Sequence, residues 1–155
     1  MRTEMVRAYV ESLLERLTGR DKALADADGD YRVRYGDALY FVRLIGDLDP
    51  VVQVFATAVS EIPSSPELLT SLNEINSRIR FARVFWVRDQ VLIESDLVGQ
   101  SIDVVGFDSA CRAVATITDH YGPLLAKEFG GKTFFDDEKD DTAPPRDTSQ
   151  TGLYL

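Results

Sequence analysis

The spacing of apolar residues changes between positions 65 and 98 from the period of a helix to the period of a strand. In the first part, apolar side chains recur every three or four residues, at Leu68, Leu69, Leu72, Ile75 and Ile79. Ser65 can cap a helix and Pro66 suits its first position, so a helix from Pro66 to Arg80 is predicted. From residue 81 the period is two, which predicts a hairpin of strands 81–87 and 91–97 with a turn within residues 88–90.

The same patterns divide the rest of the chain. A helix is predicted from Thr3 to Leu17, with one apolar side formed by Met5, Val6, Tyr9, Val10, Leu13, Leu14 and Leu17. Strands 31–35 and 38–45 form a predicted hairpin about Gly36-Asp37, and a third strand covers 51–59. A last helix begins near Asp103 and buries Phe107, Cys111, Val114, Ile117 and Tyr121. Gly122-Pro123 is expected to kink or split this helix before residues 124–129.

The predicted order is therefore α-β-β-β-α-β-β-α. Strands joined by short turns are antiparallel, and helices that interrupt them in blocks are typical of α+β folds. We expect a twisted antiparallel sheet of about five strands with three helices, within a single domain from residue 1 to 131.

Composition narrows the possible partners. The chain has 155 residues and a net charge of −9, whereas nucleic acid and anionic membranes both favour a basic surface, so neither is expected as a partner. A single cysteine rules out an internal disulfide, and neither a signal peptide nor an apolar run of membrane-spanning length is visible. The expected location is cytoplasmic. Without a phosphate loop, dinucleotide fingerprint or zinc spacing, no cofactor is expected.

The composition changes from Lys132 onward. Residues 136–141 are Asp-Asp-Glu-Lys-Asp-Asp, and such a segment buries too little apolar surface to fold alone. Residues 132–155 are therefore predicted to form a flexible acidic tail. The tail ends in Leu153, Tyr154 and Leu155, which form either a short docking motif or a chance terminus.

One face of the predicted sheet combines arginines with aromatic residues, and we call it the arginine face. Strand alternation places Arg32, Arg34, Phe41, Arg43, Arg83 and Phe85 on it, together with Leu39, Ile45, Val87, Leu92 and Glu94. Such a surface could hold a peptide or an acidic segment by charge-assisted hydrogen bonds and stacking. The alternative is that the arginines cover the solvent side of the sheet with their stems over apolar residues. A further hypothesis is that the acidic tail docks on this face and competes with an external partner.

Two other sequence patterns give weaker indications of a functional site, one for metal binding and one for catalysis. Asp26-Ala-Asp-Gly-Asp30 resembles a calcium loop, but Tyr31 stands where such a loop needs glycine, and the alternative is a polar turn. Cys111 and His120 would be about 14 Å apart along one continuous helix, which is too far to share a proton. We therefore expect Cys111 to be a buried, unreactive residue, and we predict no catalytic or metal-binding residues.

The element order and two segments give a family resemblance. Residues 68–76 (Leu-Leu-Thr-Ser-Leu-Asn-Glu-Ile-Asn), with Phe-Ala-Arg-Val-Phe-Trp at 81–86 and Val-Leu-Ile-Glu-Ser-Asp-Leu at 91–97, resemble the YbjN family of the type III secretion chaperone-like superfamily. The resemblance covers roughly residues 3 to 130. It implies non-enzymatic binding of a protein or peptide, in a chaperone-like or regulatory role, and frequent homodimers. By the same analogy, Leu72, Ile75, Ile79 and Trp86 would form part of the dimer contact. The alternatives are a small-ligand sensor and a small enzyme whose site the sequence does not reveal.

Overall fold

A computed structural model describes residues 2–20, 22–35 and 38–133 of the chain. The helices are α1 (Arg2–Thr18), α2 (Pro66–Asn76) and α3 (Val104–Phe129), and a short 3₁₀ turn covers Gly99–Ser101. The strands are β1 (Tyr31–Tyr35), β2 (Ala38–Ile45), β3 (Val51–Ser60), β4 (Arg83–Val87) and β5 (Gln90–Val98). The predicted element order and the α+β class are confirmed.

The five strands form one antiparallel sheet in the order β1-β2-β3-β5-β4. The second hairpin thus enters the sheet with its longer, more buried strand against β3 and leaves β4 at the edge. Strand β5 has nine residues that can match the ten of β3, whereas β4 has only five. Strand β5, which is long and mostly buried, therefore pairs with a strand on each side. Strand β4, which is short and carries an exposed arginine, pairs with a strand on one side only.

The capping prediction for α2 is confirmed, but the helix is shorter than predicted. The Ser65 hydroxyl accepts a hydrogen bond from the Leu68 N–H at 3.0 Å. The helix ends at Asn76, four residues before the predicted end, because the Asn76 amide turns to the outer edge of β4. It bonds both the N–H and the C=O of Val84, each at 2.8 Å. Ile79 still packs on the core beyond the helix end, which is why the helical spacing seemed to continue.

The turn of the second hairpin is now defined. Val87 pairs with Gln90, so the turn consists of Arg88 and Asp89, which both have positive φ angles of 46° and 59°. Two left-handed residues give the twist that a two-residue hairpin needs. In this register Arg83 lies directly opposite Glu94.

The helices pack on one face of the sheet. The main core joins Tyr40, Val54 and Ile93 of this face with Phe107 and Val114 of α3. The predicted buried side of α3 is confirmed, although Tyr121 is only half-buried. The predicted split is wrong, because α3 is one continuous helix through Pro123. Next to Pro123, Gly122 lies so close to β3 that a Cβ there would be 3.0 Å from the Ala58 carbonyl oxygen.

Helix α1 buries less of its apolar side than predicted. Val6, Val10, Leu13 and Leu14 are buried, whereas Met5 is 72% exposed and Tyr9 and Leu17 are also exposed. The helix lies at the border of the fold, where Arg7 and Glu11 bond the hydroxyl of Tyr31 on β1. Its contact stripe is therefore narrow. Tyr35, at the end of the edge strand β1, is likewise exposed despite being on the helix-covered face.

The C-terminal end of the described chain joins the sheet. The backbone groups of Lys132 and Ser60 exchange two hydrogen bonds, at 2.9 and 2.8 Å, and Thr133 is buried. Lys132, predicted to belong to the tail, thus forms a bridge to the end of β3, and Thr133, also predicted to belong to the tail, is buried beside it in the chain. The Gly36-Asp37 turn and residues 134–155, including Leu153, Tyr154 and Leu155, lie outside the described residues.

Candidate functional site

The strand register brings the six predicted binding residues onto the face opposite the main core. One row across all five strands reads Arg32, Phe41, Phe55, Glu94, Arg83. Beside it, Arg34 pairs with Leu39 on β1 and β2, and Leu92 of β5 pairs with Thr57 of β3 and Phe85 of β4. Arg43 lies in a neighbouring row with Gln53 and Asp96. Each row has an arginine at one or both ends, and its inner residues are apolar or are polar groups that are buried or half-buried.

Arginines and aromatic rings stack on this face. The Arg43 guanidinium carbon is 5.1 Å from the centre of the Phe55 ring, and that of Arg83 is 5.2 Å from the centre of Phe85. The Phe41 and Phe55 rings stack with centres 5.4 Å apart. Phe55 is fully buried, while Phe41 and Phe85 keep part of their surface.

Two of the four arginines are paired with buried carboxylates. The Arg43 guanidinium donates to both oxygens of Asp30, at 2.6 and 2.5 Å, and Asp30 is fully buried. Arg83 donates to Oε2 of Glu94 at 2.8 Å. These pairs neutralise much of the positive charge that the sequence suggested for Arg43 and Arg83, while Arg32 and Arg34 are exposed.

The centre of the face holds polar atoms in a buried setting. Glu94 is 1% exposed, and burial raises the pKa of its carboxyl, an effect opposed by the hydrogen bond and charge of Arg83. Gln53 is also fully buried, and its amide nitrogen donates to Asp96 at 3.2 Å. Oε1 of Gln53 and Oε1 of Glu94 are buried without a hydrogen-bond partner.

Sequence reasoning missed four residues of this site: Asp30, Gln53, Phe55 and Asp96. The alternation within strand 51–59 gave the signal for Gln53 and Phe55, but their alignment with β2 required knowledge of the turn at residues 46–50. Asp30 was considered only as part of a calcium-loop pattern or a polar turn, although it lies one residue before Tyr31 and therefore on the side of Arg32. Its bond to Arg43 occupies the carboxylate that a calcium site would need.

The four residues predicted for a dimer contact are buried to different degrees. Leu72 and Ile75 are buried in the chain's own core, and Ile79 and Trp86 are half-buried against it. The Trp86 indole N–H donates to the Ile62 carbonyl at 2.8 Å. Of the four, only Ile79 and Trp86 have surface to offer a partner, and the dimer contact stays a prediction.

Other reactive groups do not converge. In the described ranges, no three His, Cys, Asp or Glu side chains are placed to hold a metal ion. His120 is exposed on α3, and its ring packs edge-on against Tyr121. Cys111 is buried nine residues earlier on the same continuous helix.

The Cys111 thiol is expected to be unreactive in the folded protein. Burial raises its pKa to about 12, so at pH 8 less than about one thiol in a thousand would be the reactive thiolate. A chromogenic disulfide reagent should modify Cys111 slowly in buffer and rapidly in guanidinium chloride. Equal rates under both conditions would contradict the packing of α3 on β2 and β3.

A comparison with protein-family models matches residues 4–137 to the family described as T3SS (YopN, CesT) and YbjN peptide-binding chaperone 1, or TY-Chap1. The chain belongs to the TY-Chap1 family. It is therefore a non-enzymatic, chaperone-like protein that binds peptide or protein segments. The predicted resemblance to the YbjN family is confirmed, and the enzyme alternative is disfavoured.

Solved structures with the same fold are distant in sequence. A chain of the ExsC–ExsE complex has 14% identity and a TM-score of 0.58, over 76% of this chain and 94% of that one. The structure of the Yersinia pestis type III secretion chaperone SycH with a fragment of YscM2 has 15% identity and a TM-score of 0.54, over 70% and 96%. YbjN from E. coli has 15% identity and a TM-score of 0.51, over 78% and 90%. A search of curated proteins finds no match.

Within the described part of this TY-Chap1 chain, no helix is long and apolar enough to cross a membrane.

Proposed function

We propose that this TY-Chap1 protein holds an extended segment of its partner on the arginine face of the sheet. The observation that carries the proposal is the double row of arginines and aromatic rings on the sheet face opposite the main core. Stacked Arg83 and Phe85 offer both apolar area and hydrogen-bond donors beside an edge strand. Aromatic residues and arginine are the side chains that most often dominate binding energy at interfaces.

The arrangement suits an unfolded segment better than a small ligand. The apolar and cationic groups lie in rows that cross five strands, and adjacent strands are about 4.8 Å apart, so the surface is roughly 19 Å wide. An extended peptide of about six residues spans that distance. The family's peptide-binding role favours this reading over the small-ligand sensor.

Replacing Phe85 with alanine is expected to weaken peptide binding about tenfold, because a partly exposed aromatic ring within a contact commonly contributes that much or more. Nine-residue peptides selected on the protein from a displayed random library serve as the probe. Affinity is measured by fluorescence anisotropy, and amide chemical shifts map where the peptides bind.

Leu124→Ala is the matched control, because Leu124 is an exposed apolar residue on α3, away from the sheet face. It should leave affinity unchanged. Shifts confined to α2 or α3, or equal losses in the two variants, would overturn the proposed site.

The tail hypothesis remains part of the proposal. The bridge between Lys132 and Ser60 brings the described chain to the end of β3, one row from the pair of Thr57 and Leu92. Ending the chain after Thr133 should raise affinity for the selected peptides about threefold or more, since a tethered competitor is removed. A full-length variant with asparagine at Asp136, Asp137, Asp140 and Asp141 should show the same gain. Unchanged affinity in both variants would contradict tail docking.

We also propose that the protein forms a homodimer, as the sequence analysis expected. Ile79 and Trp86 support this by lying half-buried beside the edge strand β4, where a second copy could cover them.

A further inference from the structure

Two hydrogen-bond acceptors are buried without donors in the middle of the arginine face. They are Oε1 of Gln53 and Oε1 of Glu94, on the adjacent strands β3 and β5. Gln53 pairs with Asp96 and Phe55 pairs with Glu94, so the two side chains are diagonal neighbours on one face. Buried polar atoms nearly always have partners, and an orphan atom therefore calls for an explanation.

The donors around these atoms are already committed. The Gln53 amide nitrogen bonds Asp96, and Nη2 of Arg83 bonds the other oxygen of Glu94. Nε and Nη2 of Arg43 bond Asp30. What the centre of the face lacks is a donor.

The local charge indicates what kind of donor fits. Glu94 and Asp96 carry two negative charges against the single positive charge of Arg83, which lies 2.8 Å from Glu94 and 3.8 Å from Asp96. The Asp30–Arg43 pair is neutral as a unit. The centre thus has an excess negative charge as well as free acceptor capacity, so a cation is favoured over a neutral amide.

Arg83, which bonds Glu94, lies at the edge of the sheet. The Arg83 side chain is 52% exposed on the edge strand β4 and lies over Phe85 by stacking alone. Long arginine side chains rotate readily when exposed. Movement of Arg83 toward solvent opens the way to Glu94.

We propose that the centre of the arginine face is a subsite for a lysine or arginine side chain of the bound peptide, held by Glu94, Gln53 and Asp96. This inference rests on the proposed function, since it names the chemistry that the same face selects. The bound cation supplies the donors that Gln53 and Glu94 lack, while the exposed Arg32 and Arg34 at the β1 edge contact other parts of the segment. The sequence had suggested a peptide or an acidic segment for this face, and the buried acceptors assign a basic side chain to its centre.

The test uses a random nine-residue displayed library selected in parallel on the wild-type protein, on Glu94→Gln and on Asp108→Asn. Glu94→Gln keeps the size of the side chain and removes its charge. Asp108→Asn is the matched control, because that carboxylate pairs with Arg112 on α3, outside the sheet face. Wild type and Asp108→Asn should enrich lysine or arginine at one peptide position, and Glu94→Gln should not. Replacing that basic residue by norleucine in a selected peptide should weaken binding to wild type about tenfold or more and leave binding to Glu94→Gln nearly unchanged.

A second readout separates recognition from a merely structural role. The carboxyl carbon of Glu94 is followed by NMR during pH titration, alone and with the selected peptide. A bound cation should lower the pKa of Glu94, and the norleucine peptide should leave it unchanged. If the basic peptide leaves the pKa of Glu94 unchanged, a proton on Glu94 itself takes the place of the missing donor, and the inference is overturned.

The outcomes of the selection distinguish the two proposals. Peptides that bind the arginine face without a basic preference, or with a preference that Glu94→Gln retains, overturn the cation subsite and leave the proposed function standing. Failure to select any peptide, or selection of peptides whose chemical shifts map to the helices, overturns the proposed function and the inference together.

Discussion

Replacing Asp30 with alanine is expected to destabilise the protein by about 3–5 kcal/mol, the usual cost of removing one partner of a buried ion pair. Asp30 is fully buried, and the Arg43 side chain to which it is joined by two hydrogen bonds is only 11% exposed. Without the carboxylate, the guanidinium loses the bidentate contact that holds it over the Phe55 ring. The variant should therefore lose order on the arginine face as well as stability.

Urea unfolding followed by circular dichroism measures this change. Asp28→Ala is the matched control, because Asp28 is an exposed carboxylate two residues away in the same loop, and its removal should change stability by less than about 0.5 kcal/mol. The double variant Asp30→Ala with Arg43→Leu should recover part of the loss, since no buried charge is then left behind. A loss below about 1 kcal/mol for Asp30→Ala would show that the pair is not buried as described.

Replacing Phe55 with alanine is expected to cost about 3–5 kcal/mol, as for other fully buried phenylalanines. Phe55 lies on the central strand β3, where it stacks on Phe41 and lies under Arg43, on the side of the sheet away from the main core. Its removal leaves a cavity on this side that the rigid strands β2 and β5 cannot close. The arginine face is therefore an apolar layer in its own right, as well as a set of surface charges.

The other ring of the stacked pair provides the control. Phe41 is half-buried on β2, so Phe41→Ala should cost clearly less, about 1–2 kcal/mol. Thermal and urea unfolding of both variants give the comparison. Equal losses would mean that Phe55 is not more deeply buried than Phe41, and that the layer beneath Arg43 does not exist.

The sequence predicted the elements well where periodicity and local chemistry agree. The bounds of β1 and β2, the Ser65 cap and the α+β order required only the spacing of apolar residues and the properties of single side chains. Predictions failed where a contact between residues far apart in the sequence determines where an element ends. Asn76 ends α2 because the edge of β4 lies within reach of its amide, and α3 continues through Pro123 because it packs along the sheet as one element.

The candidate site also has one part that the sequence predicted and another that only the tertiary structure decided. Within each hairpin, strand alternation sorted Arg32 with Phe41 and Arg83 with Phe85 from the sequence alone, since a period of two fixes the relative sides of residues along a strand. Only the tertiary structure decided that β5 lies inside the sheet next to β3. That neighbour relation, which depends on burial over the whole sheet, takes Glu94 from a hairpin position to the buried centre beside Gln53.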